Sequence, residues 1–114
     1  MMRGAFAGLL VLVLSAPTWA QQDSDRSLSD SLHRGQVLRG QALFVQSCSV
    51  CHSKVQQTSV RFGPALSKSS LGGQDDVMRE VISNGTPRMP GFKHHFGRDE
   101  IDAIVAYLKT VPAQ

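Results

Sequence analysis

Cysteine is nearly absent: the chain of 114 residues holds two, three positions apart. That count excludes a disulfide-stapled fold and a four-cysteine zinc site. Charge of one sign is not concentrated either. Twelve Lys and Arg stand against nine Asp and Glu, with no basic run, and a nucleic-acid binder would carry such a patch. No segment alternates apolar and polar residues for long enough to read as a strand. Nor is there a run of the roughly 20 apolar residues that a spanning helix needs; the longest, Ala5–Ala16, falls short. What remains is one small all-α domain with a thin core.

The apolar run belongs to a leader. Arg3 gives it a positive start, Pro17 breaks it, and Thr18-Trp19-Ala20 puts small residues at the −3 and −1 positions of a cleavage site. Residues 1–20 therefore read as a secretory signal peptide. Removal after Ala20 leaves an exported, periplasmic protein with no stable membrane insertion. The alternative is an uncleaved membrane anchor. No cysteine sits at the cleavage point to take a lipid. Residues 21–33 are polar and read as a flexible lead-in, and the folded domain spans residues 34–112.

The two cysteines lie in Cys48-Ser49-Val50-Cys51-His52, a C-x-x-C-H signature for attachment of a c-type haem. On a helix, Cys48, Cys51 and His52 occupy i, i+3 and i+4 and share one face. Two thiols there can add to the two vinyl groups of a porphyrin edge, and the imidazole comes under the iron as its proximal ligand. A thioredoxin-like redox pair is the competing reading, but no βαβ pattern surrounds the motif. Zinc would need distant histidines. Export also favours haem, because two bare cysteines in an oxidising compartment tend to pair.

Three helical patterns follow. From about Arg34, Val37, Gly40, Gln41 and Phe44 recur at helical spacing and run into Cys48. Gly40 weakens that helix by about 1 kcal/mol relative to Ala, which suggests a close helix crossing. Asp75–Ser83 carries the stripe Val77, Met78, Val81 and Ile82, with Asn84-Gly85 as its stop. Arg98–Lys109 repeats Ile101, Ile104, Val105 and Leu108, with Gly97 as N-cap. Between the last two lies Thr86-Pro87-Arg88-Met89-Pro90-Gly91-Phe92. A methionine between two prolines is not a helix-core residue. The stiff loop can hold a thioether in place, so Met89 is the expected sixth iron ligand, whereas Met78 reads as core. His33, His94 and His95 read as solvated. Gly63-Pro64 marks a turn.

Gly40-Gln41-Ala42-Leu43-Phe44 before Cys48-Ser49-Val50-Cys51-His52, with Met89-Pro90 ahead of the last helix, resembles the small class I monohaem c-type cytochromes of bacterial periplasms. The resemblance covers nearly the whole mature chain. It departs mildly at Gly97, where a hydroxyl or Asp cap is usual, and in the undiagnostic Cys51–Pro64 loop. It implies a cytochrome c-like fold wrapped around one covalent haem c. It further implies that the Pro64 carbonyl accepts the second ring N–H of His52, that Leu66 lies on the proximal side, and that Tyr107 packs across Gly40 beside Phe44. The implied function is periplasmic one-electron carriage and not an enzymatic reaction. Its partners would be redox proteins, a donor dehydrogenase or complex and an acceptor oxidase. Lys54, Arg61, Arg88 and Lys93 would steer acidic partners. A cytochrome subunit of a dehydrogenase complex, or a haem enzyme or sensor with a displaceable sixth ligand, are the alternatives.

Overall fold

The computed structural model describes residues 18–53 and 60–113, with side chains from Gln22 onward. Most of the expected leader, residues 1–17, and Lys54 lie outside the described residues. Among the described residues four α-helices follow in order: α1 (Thr18–Ser47), α2 (Ser49–His52), α3 (Asp75–Asn84) and α4 (Arg98–Leu108), with one short 3-10 turn, Ser70–Gly73, before α3. Among the described residues there is no strand, only an isolated bridge between Thr86 and Met89.

α1 begins far earlier than the pattern from Arg34 suggests, and residues 21–33 are helical instead of irregular. Nothing between Thr18 and Arg34 interrupts it, since that stretch contains no glycine and no proline. Serine usually competes with a helix by bonding nearby backbone. Here those bonds run within the helix: the Ser29 hydroxyl donates to the Arg26 carbonyl and that of Ser31 to the Ser27 carbonyl, each at 2.8 Å. Residues 22–36 are exposed, and the helix first meets the domain at Val37 and Gly40.

At Gly40 α1 crosses α4. A methyl built on Gly40 would lie 1.8 Å from the Ala103 carbonyl oxygen, so only hydrogen fits. The atoms nearest a methyl at Gly40 are the Ala103 and Ile104 backbone. Beside the crossing Tyr107 packs on Phe44, with ring centroids 5.4 Å apart.

The core lies where α3 and α4 meet. Met78 and Ile82 from α3 pack with Phe96 and with Ile101, Ile104, Val105 and Leu108 from α4. Met78 is thus a core residue, 2 % exposed. Ion pairs tie the helices at the rim: Arg39 to Glu100 at 3.0 Å, Lys109 to Asp75 at 2.8 Å, and Arg79 to both Asp76 and Asp102. Gly97 has no side chain to cap α4. The Glu100 carboxylate does so from the first turn by accepting the Gly97 N–H at 3.0 Å. That bond, followed by Arg39, holds the Glu100 carboxyl below its ordinary range.

Candidate cofactor site

The end of α1 and all of α2 form one bent helical segment. The Cys48 N–H donates to the Phe44 carbonyl at 2.8 Å, and the His52 N–H to the Cys48 carbonyl at 3.0 Å. Cys48, in helical conformation at the junction, and Cys51 and His52 of α2 therefore keep the i, i+3, i+4 relation that their spacing predicts. Both thiols are free, with Cys48 buried and Cys51 half-buried. Burial, and then the neighbouring Cys51, pushes the Cys48 thiol up.

The loop after α2 returns to hold the imidazole. His52 Nδ1 lies 2.8 Å from the Pro64 carbonyl oxygen. A carbonyl can only accept, so Nδ1 carries the proton and Nε2 is left free to bind a metal. The Gly63 N–H donates to the Cys51 carbonyl at 2.8 Å, pinning the turn to α2. A methyl on Gly63 would stand 2.8 Å from His52 Cε1 and 2.9 Å from Nδ1. Glycine there is what lets the ring lie against the turn.

Met89 is held by a different device. The Thr86 N–H donates to the Met89 carbonyl at 2.8 Å, and the Met89 N–H returns to the Thr86 carbonyl at 3.1 Å. Pro87 fixes φ inside this closed turn and Pro90 follows it. The turn is anchored on the end of α3. Gly85, at φ +74°, ends that helix, and the Phe92 and Lys93 N–H groups donate to the Ile82 and Ser83 carbonyls at 2.9 and 3.1 Å.

Cys51, His52, Pro64, Leu66 and Met89 line one cavity of about 340 Å³. That lies within the usual range for a bound small molecule. Val81 from α3 adds to its hydrocarbon walls, and no carboxylate lines it. A neighbouring opening of about 460 Å³ shares His52 and Leu66 and reaches Phe44 and Tyr107. Among the described residues no cluster of three or more His, Cys, Asp or Glu occurs. An imidazole and a thioether in an apolar cavity beside the Cys51 thiol do not suit a bare ion, but they do suit haem iron. His33, His94 and His95 are exposed, and none lines this cavity.

Two lining residues, Phe62 and Leu71, are not apparent from sequence. Phe62 reaches across to Arg88, whose guanidinium carbon lies 5.9 Å from the ring centroid. This cation–π contact joins the loop holding His52 to the turn holding Met89. Leu71 lines the cavity with φ +51°, a costly conformation for a branched side chain. The sequence signal available was the Leu71-Gly72-Gly73 turn. Of the basic residues expected to steer partners, Arg61 and Arg88 border the two openings. Lys93 does not: its ammonium donates to the Asn84 side chain at 2.9 Å and it lines a separate cleft.

Comparison with known proteins agrees with this chemistry. The family model described as cytochrome C oxidase, cbb3-type, subunit III matches residues 35–108. A cytochrome c-553-like protein of Synechocystis is 32% identical over 108 residues, covering 92% of this chain and 99% of the relative. Cytochrome c6 of Limnospira maxima is 32% identical over 82 residues, 65% of this chain and 91% of the relative. Cytochrome c6 of Diacronema lutheri is 23% identical over 78 residues, 65% of this chain and 94% of the relative. No solved structure gives a significant match.

Proposed function

Because the chain belongs to the cytochrome c family, we propose that it is a periplasmic one-electron carrier holding one covalent haem c, with thioethers at Cys48 and Cys51 and axial iron ligands at His52 and Met89. The observation that carries this reading is that His52 and Met89, from separate elements, line the same apolar cavity beside Cys51. Bound haem supplies a reversible ferric–ferrous couple, and a His/Met ligand pair raises its potential.

The chain's own residues do the rest. The Pro64 carbonyl fixes the imidazole tautomer. The Thr86–Met89 turn keeps the thioether at one point. Leu66, Leu71 and Val81 give the site hydrocarbon walls. Neither ligand has to move when the electron does. The chain carries electrons and does not catalyse a reaction: a fixed sixth ligand leaves no place for a substrate on iron, which disfavours the enzyme and sensor readings. Partners are redox proteins, a donor dehydrogenase or complex and an acceptor oxidase. From Ser31 onward ten Lys and Arg face six Asp and Glu, a net of +4 before haem, and this steers acidic surfaces toward Arg61 and Arg88.

The thioethers are tested by extraction. After acid denaturation and treatment with organic solvent, the haem stays with the polypeptide. Cys48→Ala and Cys51→Ala each reduce the yield of holoprotein. Free haem in the solvent would refute both bonds. Export is tested at the N-terminus: protein from the periplasmic fraction begins at Gln21, and a mature membrane-bound form starting at Met1 would mean an anchored cytochrome. A second reading, a subunit of a larger respiratory assembly, draws on the oxidase-subunit description of the matching family. Stable copurification with such an assembly distinguishes it from a free carrier.

A further inference from the structure

The outer face of α1 carries a seam that nothing else in the described chain covers. With Leu28 as the first position of a heptad, positions a and d over residues 28–45 are Leu28, Ser31, Gly35, Leu38, Ala42 and Val45. All are apolar or small. None of the charged residues of α1 falls among them: Asp23, Asp25, Arg26, Asp30, Arg34 and Arg39 all lie at other heptad positions. Gly40 and Phe44, which meet α4, lie on the opposite side of the helix. Leu28, Leu38 and Val45 are 61, 60 and 60 % exposed, and the flanking Leu32 is 67 % exposed. A methyl added at Gly35 meets nothing within 4 Å, so no contact within the chain explains a helix-weakening glycine there.

A seam repeating every 3.5 residues fits another helix. The charge order along α1 says which. Asp23, Asp25 and Asp30 dominate its N-terminal half, and Arg34 and Arg39 follow. An antiparallel copy of α1 sets these halves against each other, whereas a parallel copy stacks like charges. With Leu28 seated on Leu38 of the second copy, Ser31 meets Gly35 at the dyad, where small residues let the backbones approach. The same register brings Asp25 toward Arg39 of the second copy, and Arg34 near its own symmetry mate, where Asp30, one turn away on the same flank, offsets the two positive charges. Arg39 already binds Glu100 but keeps 56 % of its side chain exposed. A lipid surface would require an excess of Lys and Arg on the polar face, and from Gln21 to Ser47 the helix has three Asp and three Arg.

We propose that the protein forms a homodimer through an antiparallel α1–α1 seam centred between Ser31 and Gly35. The seam is isologous, as a two-fold axis requires. No seam residue lines the cofactor cavity, so the two haem sites stay open to partners. Sedimentation of the full holoprotein across the micromolar range tests this. The protein sediments as a dimer at the upper end and dissociates more readily as salt rises. Leu38→Glu raises the dissociation constant by at least about tenfold, since it removes a Leu layer twice. Asp25→Arg and Arg39→Asp each weaken the dimer, and the double swap restores it. Each variant keeps the parental absorption spectrum and potential, which separates a lost seam from a lost fold. Four outcomes overturn the proposal: a monomer at every concentration, a dimer indifferent to Leu38→Glu, a double swap that does not restore pairing, or a monomer that binds phosphatidylglycerol vesicles through α1.

Discussion

Gly40→Ala destabilises the holoprotein by about 3 kcal/mol, the upper end of the overpacking range, although alanine is the better helix former by about 1 kcal/mol. The sign follows from distance. The new methyl would lie 1.8 Å from the Ala103 carbonyl oxygen, and a backbone atom inside α4 cannot step aside as a flexible side chain can. The helices must separate, which loosens the Phe44–Tyr107 contact and the packing of Ile104. Gly40→Val goes further and yields little folded protein. The same substitution five residues earlier has the opposite sign: Gly35→Ala meets open space and stabilises the domain by up to about 1 kcal/mol. Denaturant midpoints of the holoproteins at low concentration read both changes. Equal, small shifts at the two glycines would mean that α1 and α4 do not touch at Gly40.

Met89→His keeps the haem but lowers the reduction potential by on the order of 0.1 V or more, within the roughly 0.8 V that axial ligands span. A thioether is neutral and soft and favours ferrous iron, whereas a second imidazole gives that preference up. The Thr86–Met89 turn, closed by its two backbone hydrogen bonds, presents the replacement side chain from the same point, so the change is electronic more than structural. Electron delivery to the natural acceptor slows accordingly. Met78→Leu is the control. Met78 is 2 % exposed in the core, and a volume-conserving change there costs less than about 1.5 kcal/mol without touching iron.

The parts of this architecture legible in the sequence rest on local chemistry. Cysteine and histidine at helical spacing, a methionine between prolines, and the apolar stripes of α3 and α4 are written in runs of a few residues. The Gly40 crossing is also legible, because a glycine inside a helix calls for a reason. The closeness of that crossing is not: how near the Ala103 backbone comes to Gly40 depends on how α4 packs along α1. The start of α1 is illegible for another reason. A polar serine- and aspartate-rich stretch resembles a lead-in by composition, and only its internal hydroxyl–carbonyl bonds show how it holds a helix. Leu71 and the Phe62–Arg88 contact depend on two loops meeting over the cavity, and no local pattern encodes that.

The most direct test of the central claim is a spectroelectrochemical titration of the parent, Met89→His and Met78→Leu holoproteins side by side. The parent titrates as a single one-electron couple with a six-coordinate spectrum in both oxidation states. Met78→Leu follows the parent's curve. Met89→His shows a changed spectrum and a potential lower by on the order of 0.1 V or more. If Met89→His retains the parental spectrum and potential, Met89 is not the iron ligand. The sixth position would then pass to His94 or His95, both of which lie outside the cavity, and the carrier would have to be rebuilt around bis-histidine iron.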